Sequence, residues 1–83
     1  MNITLKLFAT LTDYLPAGTK GNVAQMQLAD GARLGDLLDE LRLPAKLVHL
    51  VLVNGAYVAP EARTEHRLGD GDTLAIWPPV AGG

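Results

Sequence analysis

The chain has 83 residues, which suits one domain near the lower end of independent stability. A hydrophobic fraction of 48% is enough for one core, and a charged fraction of 19% with a net charge of −2 excludes both a disordered polyelectrolyte and a basic nucleic-acid binder. There is no Cys and no Ser, so disulfides, thiolate chemistry and serine triads are excluded.

The segment 2–8, NITLKLF, alternates: Ile3, Leu5 and Leu7 share one face, and Asn2, Thr4, Lys6 and Phe8 share the other. Period two predicts a half-buried strand. ATLTDYL (9–15) predicts at most one helical turn before Pro16, and PAGTKGN (16–22) is a loop by its Gly and Pro content. VAQMQL (23–28) alternates again, which predicts a second strand in a hairpin with the first.

The period then changes. In ADGARLGDLLDELRL (29–43), Leu34, Leu37, Leu38 and Leu41 form one helical stripe, with Asp36, Asp39, Glu40 and Arg42 facing away. Pro44 is expected to stop this helix, and Gly35 to allow close packing on a sheet. The apolar run at 48–53 predicts a central strand buried on both faces. Asn54-Gly55 predicts a type I′ hairpin turn into a short strand at 56–59. PEARTEHRL (60–68) is a polar connection, GDGD (69–72) turns the chain, and TLAIWP (73–78) is the last strand. The last strand places Leu74 and Ile76 on the core face and Thr73, Ala75 and Trp77 on the other.

The order β, β, α, β, β, β predicts an α+β fold: a ubiquitin-like β-grasp, with one main helix packed across a mixed five-strand sheet. The expected domain is 1–77, and 78–83 is a tail ending in Gly-Gly. No apolar stretch approaches the roughly 20 residues needed to span a bilayer. The start, MNITLKLFA, lacks the pattern of a secretory signal, so a cytoplasmic location is expected. There is no phosphate-binding glycine loop, and the two histidines, His49 and His66, form no ligand-spaced cluster. By elimination the chain is not expected to be an enzyme, to bind a metal or cofactor, or to engage nucleic acid or membranes.

GDGDTLAIWPPVAGG resembles the C-terminus of the MoaD family, the small subunits of molybdopterin synthase, which end in a DGD turn, an apolar strand, two prolines and Gly-Gly. LKLFATL and LVNGAYV are similar to that family's first strand and central hairpin. The ThiS family, sulfur carriers of thiamine synthesis, shares the fold and the Gly-Gly, but its members usually lack the double proline. The resemblance implies a sulfur carrier. A MoeB/ThiF-like partner, using ATP and Mg, would adenylate the carboxylate of Gly83. A sulfur donor would convert it to a thiocarboxylate, and a MoaE-like large subunit would accept the tail.

The residues suit that chemistry. A terminal carboxylate has a pKa near 3.5, so at neutral pH it is an anion that resists nucleophilic attack until activated. With no nucleotide site in the chain, activation falls to a partner. Gly82 and Gly83 have no side chain to obstruct a narrow channel or crowd the reacting carbonyl. Pro78 and Pro79 remove two N–H donors, end the sheet ladder and favour an extended exit through Val80 and Ala81.

Phe8 and Trp77 fall on the solvent face by parity, and Tyr57 occupies a position where the family carries an apolar contact residue. The expectation is one partner-binding patch of Phe8, Tyr57 and Trp77 beside the tail, continued by Pro78, Pro79, Val80 and Ala81. Arg63, His66 and Arg67 read as a solvated basic group, His49 as a structural histidine, and Asp70 and Asp72 as turn formers. Three alternatives stay open: a ThiS-like carrier, a ubiquitin-like protein modifier, and a β-grasp interaction module with an idle tail.

Overall fold

The computed structural model describes residues 1–79; Val80, Ala81, Gly82 and Gly83 lie outside the described residues. Five strands form one mixed sheet: β1 (Asn2–Leu7), β2 (Val23–Gln27), β3 (Leu50–Val53), β4 (Ala56–Tyr57) and β5 (Thr73–Trp77). Their spatial order is β2-β1-β5-β3-β4. β1 and β2 are antiparallel, with Thr4 opposite Gln25; β1 and β5 are parallel, with Leu5 opposite Leu74. β3 runs antiparallel to both β5 and β4. The helix α1 (Leu34–Glu40) covers one face. The expected β-grasp is the observed fold.

The core follows the alternation in the sequence. Ile3, Leu5 and Leu7 of β1, Leu74 and Ile76 of β5, and Val51 and Val53 of β3 meet Leu34 and Leu37 of α1. Leu38 and Leu41 pack at its margin, while Asp36, Asp39, Glu40 and Arg42 are exposed. The segment 9–15 holds a 3-10 helix, Ala9–Tyr14, that buries Leu11.

Four expectations change. β3 is not the central strand; β5 is, and Leu50 and Leu52 are only half-buried. The apolar run therefore puts two leucines on the open face of the sheet. The segment begins with a turn, the 3-10 helix Ala45–Leu47, and β3 starts at Leu50, two residues later than the expected 48. The helix stops before Pro44. Arg42 adopts φ 57, its N–H donates to the Asp39 carbonyl, and the Leu43 N–H donates to the Leu38 carbonyl. This is a Schellman cap, with arginine where glycine is usual, and Leu43 buried against the core. Finally, Gly35 packs against a loop rather than the sheet. A Cβ there would lie 2.8 Å from the Thr64 carbonyl oxygen, which accepts the Gly35 N–H.

The predicted turns are present. Asn54 and Gly55 have φ 52 and 82, as a type I′ hairpin requires. The GDGD segment does more than reverse the chain. Asp70 accepts the Asn2 N–H at 2.7 Å, and Asp72 accepts the Gly69 N–H at 2.7 Å and the Asn54 amide at 2.8 Å. The Asn54 side-chain oxygen accepts the Thr73 N–H at 2.9 Å. The starts of β1 and β5 and the β3–β4 hairpin are thus tied at one corner.

Candidate functional site

The candidate site is the C-terminal end of β5. Because β5 lies between β1 and β3, the chain leaves from the middle of the sheet. The final rungs are the Phe8 N–H donating to the Ile76 carbonyl at 3.2 Å and the His49 N–H donating to the Trp77 carbonyl at 3.0 Å. The next two residues, Pro78 and Pro79, have no N–H with which to extend the ladder. Pro78 is half-buried and Pro79 exposed.

Parity carries Phe8 and Trp77 to the face opposite α1, where their rings stack with centroids 4.2 Å apart and planes 4° from parallel. Such a pair contributes about 0.5–1.5 kcal/mol beyond its buried area and fixes both rings. Beside it, a shallow groove of about 420 Å³ is lined by Ala9, Thr10, His49, Leu50 and Trp77, together with Pro78 and Pro79. The predicted patch is therefore partly assembled. Tyr57, 59% exposed, is not in the stack; it stands opposite Leu52 on β4, across β3. Leu50, opposite Trp77, lines the groove at the stack and also a second groove reached by Tyr57. The aromatics form a pair and a single, joined by the leucines of β3. Val80, Ala81, Gly82 and Gly83 lie outside the described residues.

Two polar expectations need correction. Arg63 is not solvated: it is 8% exposed. Its guanidinium donates to the carbonyls of Val58 at 3.2 Å, Val48 at 2.9 Å and His49 at 2.8 Å. It braces the entry of β3 against the exit of β4. The apolar face it sits under could not be inferred from a segment that reads as polar. Nor does it join a basic group with His66 and Arg67: His66 is half-buried, Arg67 is exposed, and Arg67 pairs as an isolated bridge with Arg33. His49 is exposed rather than structural through its ring; its backbone makes the contacts, to Trp77 and Arg63. Sequence reading also missed Leu50 and Leu52 as half-buried residues of the open face, although the Asn54-Gly55 hairpin sets Leu52 opposite Tyr57; Leu50 faces Trp77 only through the β3–β5 ladder.

Among the described residues, no group of three or more acidic, His or Cys side chains is placed to hold a metal ion. No helix among them is long and apolar enough to cross a membrane.

A family model described as the ThiS family matches residues 5–83. No curated protein matches the chain. Among solved structures, the chain is similar to the HVO 2177 protein of Haloferax volcanii, at 30% identity and TM-score 0.76, covering 100% of this chain and 87% of that one. It is similar to SAMP1 of Haloferax volcanii, at 29% identity and TM-score 0.71, over 100% of both chains. It is also similar to a putative molybdopterin converting factor subunit 1 from Pyrococcus furiosus, at 26% identity and TM-score 0.68, covering 95% of this chain and 98% of that one.

Proposed function

We infer that this chain, which belongs to the ThiS family of ubiquitin-like sulfur carriers, carries sulfur on Gly83 for molybdopterin synthesis. In this reading it is the non-catalytic small subunit of the synthase. A MoeB/ThiF-like partner transfers AMP from ATP to the Gly83 carboxylate, with loss of pyrophosphate. Sulfur from a donor attacks the activated carbonyl, AMP leaves, and a thiocarboxylate remains. A MoaE-like large subunit then accepts the tail, and the sulfur passes to the pterin precursor. The nucleotide and magnesium belong to the activating partner. What this chain supplies is a docking face and a terminus free of side chains.

The observation that carries the reading is the exit of the chain from the middle of the sheet, at Pro78-Pro79, beside the stacked Phe8 and Trp77. A partner that covers the stack, Leu50 and Tyr57 receives the tail in a fixed direction, so less chain entropy is lost on insertion. The likeness to a molybdopterin converting factor subunit and the Pro-Pro motif favour the molybdopterin pathway over a ThiS-like role in thiamine synthesis. A second reading, attachment of Gly83 to lysine amines, is favoured by the likeness to SAMP1, a small archaeal modifier protein.

The test is the intact mass of the protein from its own cells, wild type beside a Gly83 deletion. A wild-type fraction heavier by the exchange of one oxygen for sulfur, absent from the deletion, supports the carrier. Gly83-dependent conjugates of much higher mass support the modifier. An unmodified mass with a MoeB-like enzyme, ATP and a sulfur donor supplied refutes both and leaves an interaction module. The large subunit that co-purifies separates the molybdopterin pathway from the thiamine one.

A further inference from the structure

The outer edge of β2 is open. The Leu7 N–H donates to the Asn22 carbonyl and the Leu28 N–H to the Met1 carbonyl, which sets the phase of the β1–β2 ladder. Antiparallel bonding alternates, so Ala24 and Met26 turn their backbone groups toward β1. Val23, Gln25 and Gln27 turn theirs away. Among the described residues, no other element pairs with β2. At the opposite edge, β4 is only two residues long, and Arg63 occupies the Val58 carbonyl just beyond it. β2 has five residues with no charge and no proline, and so lacks the usual guards of a free edge. Among the described residues, Val23, 40% exposed, is one of two large apolar side chains on the surface, with Tyr57.

We propose that the β2 edge is a self-association surface whose occupant is β2 of a second copy of this chain, paired antiparallel about a two-fold axis at Gln25. The register is self-complementary. With Gln25 opposite Gln25, Val23 stands opposite Gln27, and every facing pair has its N–H and C=O directed outward. The three pairs then exchange two bonds each. A shift of one residue would set outward groups against inward ones. A shift of two leaves only two such pairs within the strands.

Charge agrees with this register. Between residues 20 and 30 the charged side chains are Lys20 and Asp30, each three residues from an end of β2. The two-fold brings Lys20 of each copy toward Asp30 of the other; Asp30 is 99% exposed and 3.5 Å from the Met1 amino group. No like charges are opposed. The paired edges bury less than the ~1,200 Å² of a stable specific interface, so the association is weak and reversible. It leaves the Phe8–Trp77 stack free, since β1 lies between β2 and β5. The proposal does not rest on the sulfur-carrier reading.

Sedimentation equilibrium of the full chain up to millimolar concentration tests it. The weight-average mass should rise from 8.8 kDa toward twice that value. Gln25→Pro removes an outward N–H that no strand of the same chain uses, so the fold, checked by circular dichroism, is kept. Association should weaken at least about tenfold, because two of six backbone bonds are lost. Gln25→Lys and Gln25→Glu each oppose like charges at the axis and should stay monomeric alone, while an equimolar mixture of the two should dimerise. A wild-type mass of 8.8 kDa at every concentration overturns the proposal. So does undiminished association in folded Gln25→Pro, which would place the contact elsewhere, or a mixture that fails to recover it.

Discussion

The two ends of β5 are built on opposite principles. At its start, side-chain hydrogen bonds from Asp70, Asp72 and Asn54 fasten three segments into one corner. At its end, two prolines remove donors and an aromatic pair supplies apolar surface. A directional, saturable interaction holds the strand where it must not move. A non-directional one is left on the surface at the other end. The same five residues are anchored at one end and offered at the other.

That contrast can be broken in stages. Ile76→Ala, next to the last residue of β5, removes a fully buried side chain of the shared core and should cost about 2–5 kcal/mol in urea unfolding. At the anchored end, Asp72→Ala frees the Gly69 N–H and the Asn54 amide and should cost about 1–3 kcal/mol. The folded fraction should still be thiocarboxylated at the wild-type rate; a defect there would mean that the corner also serves a partner. At the offered end, Trp77→Ala should leave the protein folded but slow adenylation roughly tenfold or more, as loss of a central aromatic contact does. A folded variant adenylated at the normal rate would remove the stack from the docking face. The smallest effect lies away from β5. Arg42→Gly relieves the positive φ at the helix cap and should stabilise by about 0.5–1 kcal/mol, read as a higher melting temperature.

Periodicity made the elements legible. Alternation in β1 and β2 and the leucine stripe of α1 are local patterns that the core simply uses. The turn chemistry of Asn54-Gly55 and GDGD was legible for the same reason: positive φ and acidic side chains near free N–H groups are local demands. The misreadings mostly concern contacts between segments far apart in the chain. An apolar run such as 48–53 says that both faces are apolar, but not whether a helix or a future partner covers the second. Arg63 sits in a polar segment, and three carbonyls from two other segments make it a buried brace. Only the assembled fold brings those acceptors together. The candidate site divides the same way: Phe8 and Trp77 follow from strand parity, while the separation of Tyr57 depends on the strand order.

The parallel pairing of β1 with β5 sets the order in which the molecule can come into being. The middle of the sheet is the last of the five described strands in chain order, and until it arrives β1–β2 and β3–β4 are separate hairpins with no shared ladder. Such long-range closure is slow relative to local structure. A chain interrupted before Trp77 lacks the sheet's centre and cannot complete the fold. The Phe8–Trp77 stack and the ladder that joins the two hairpins therefore form together, when β5 docks between β1 and β3.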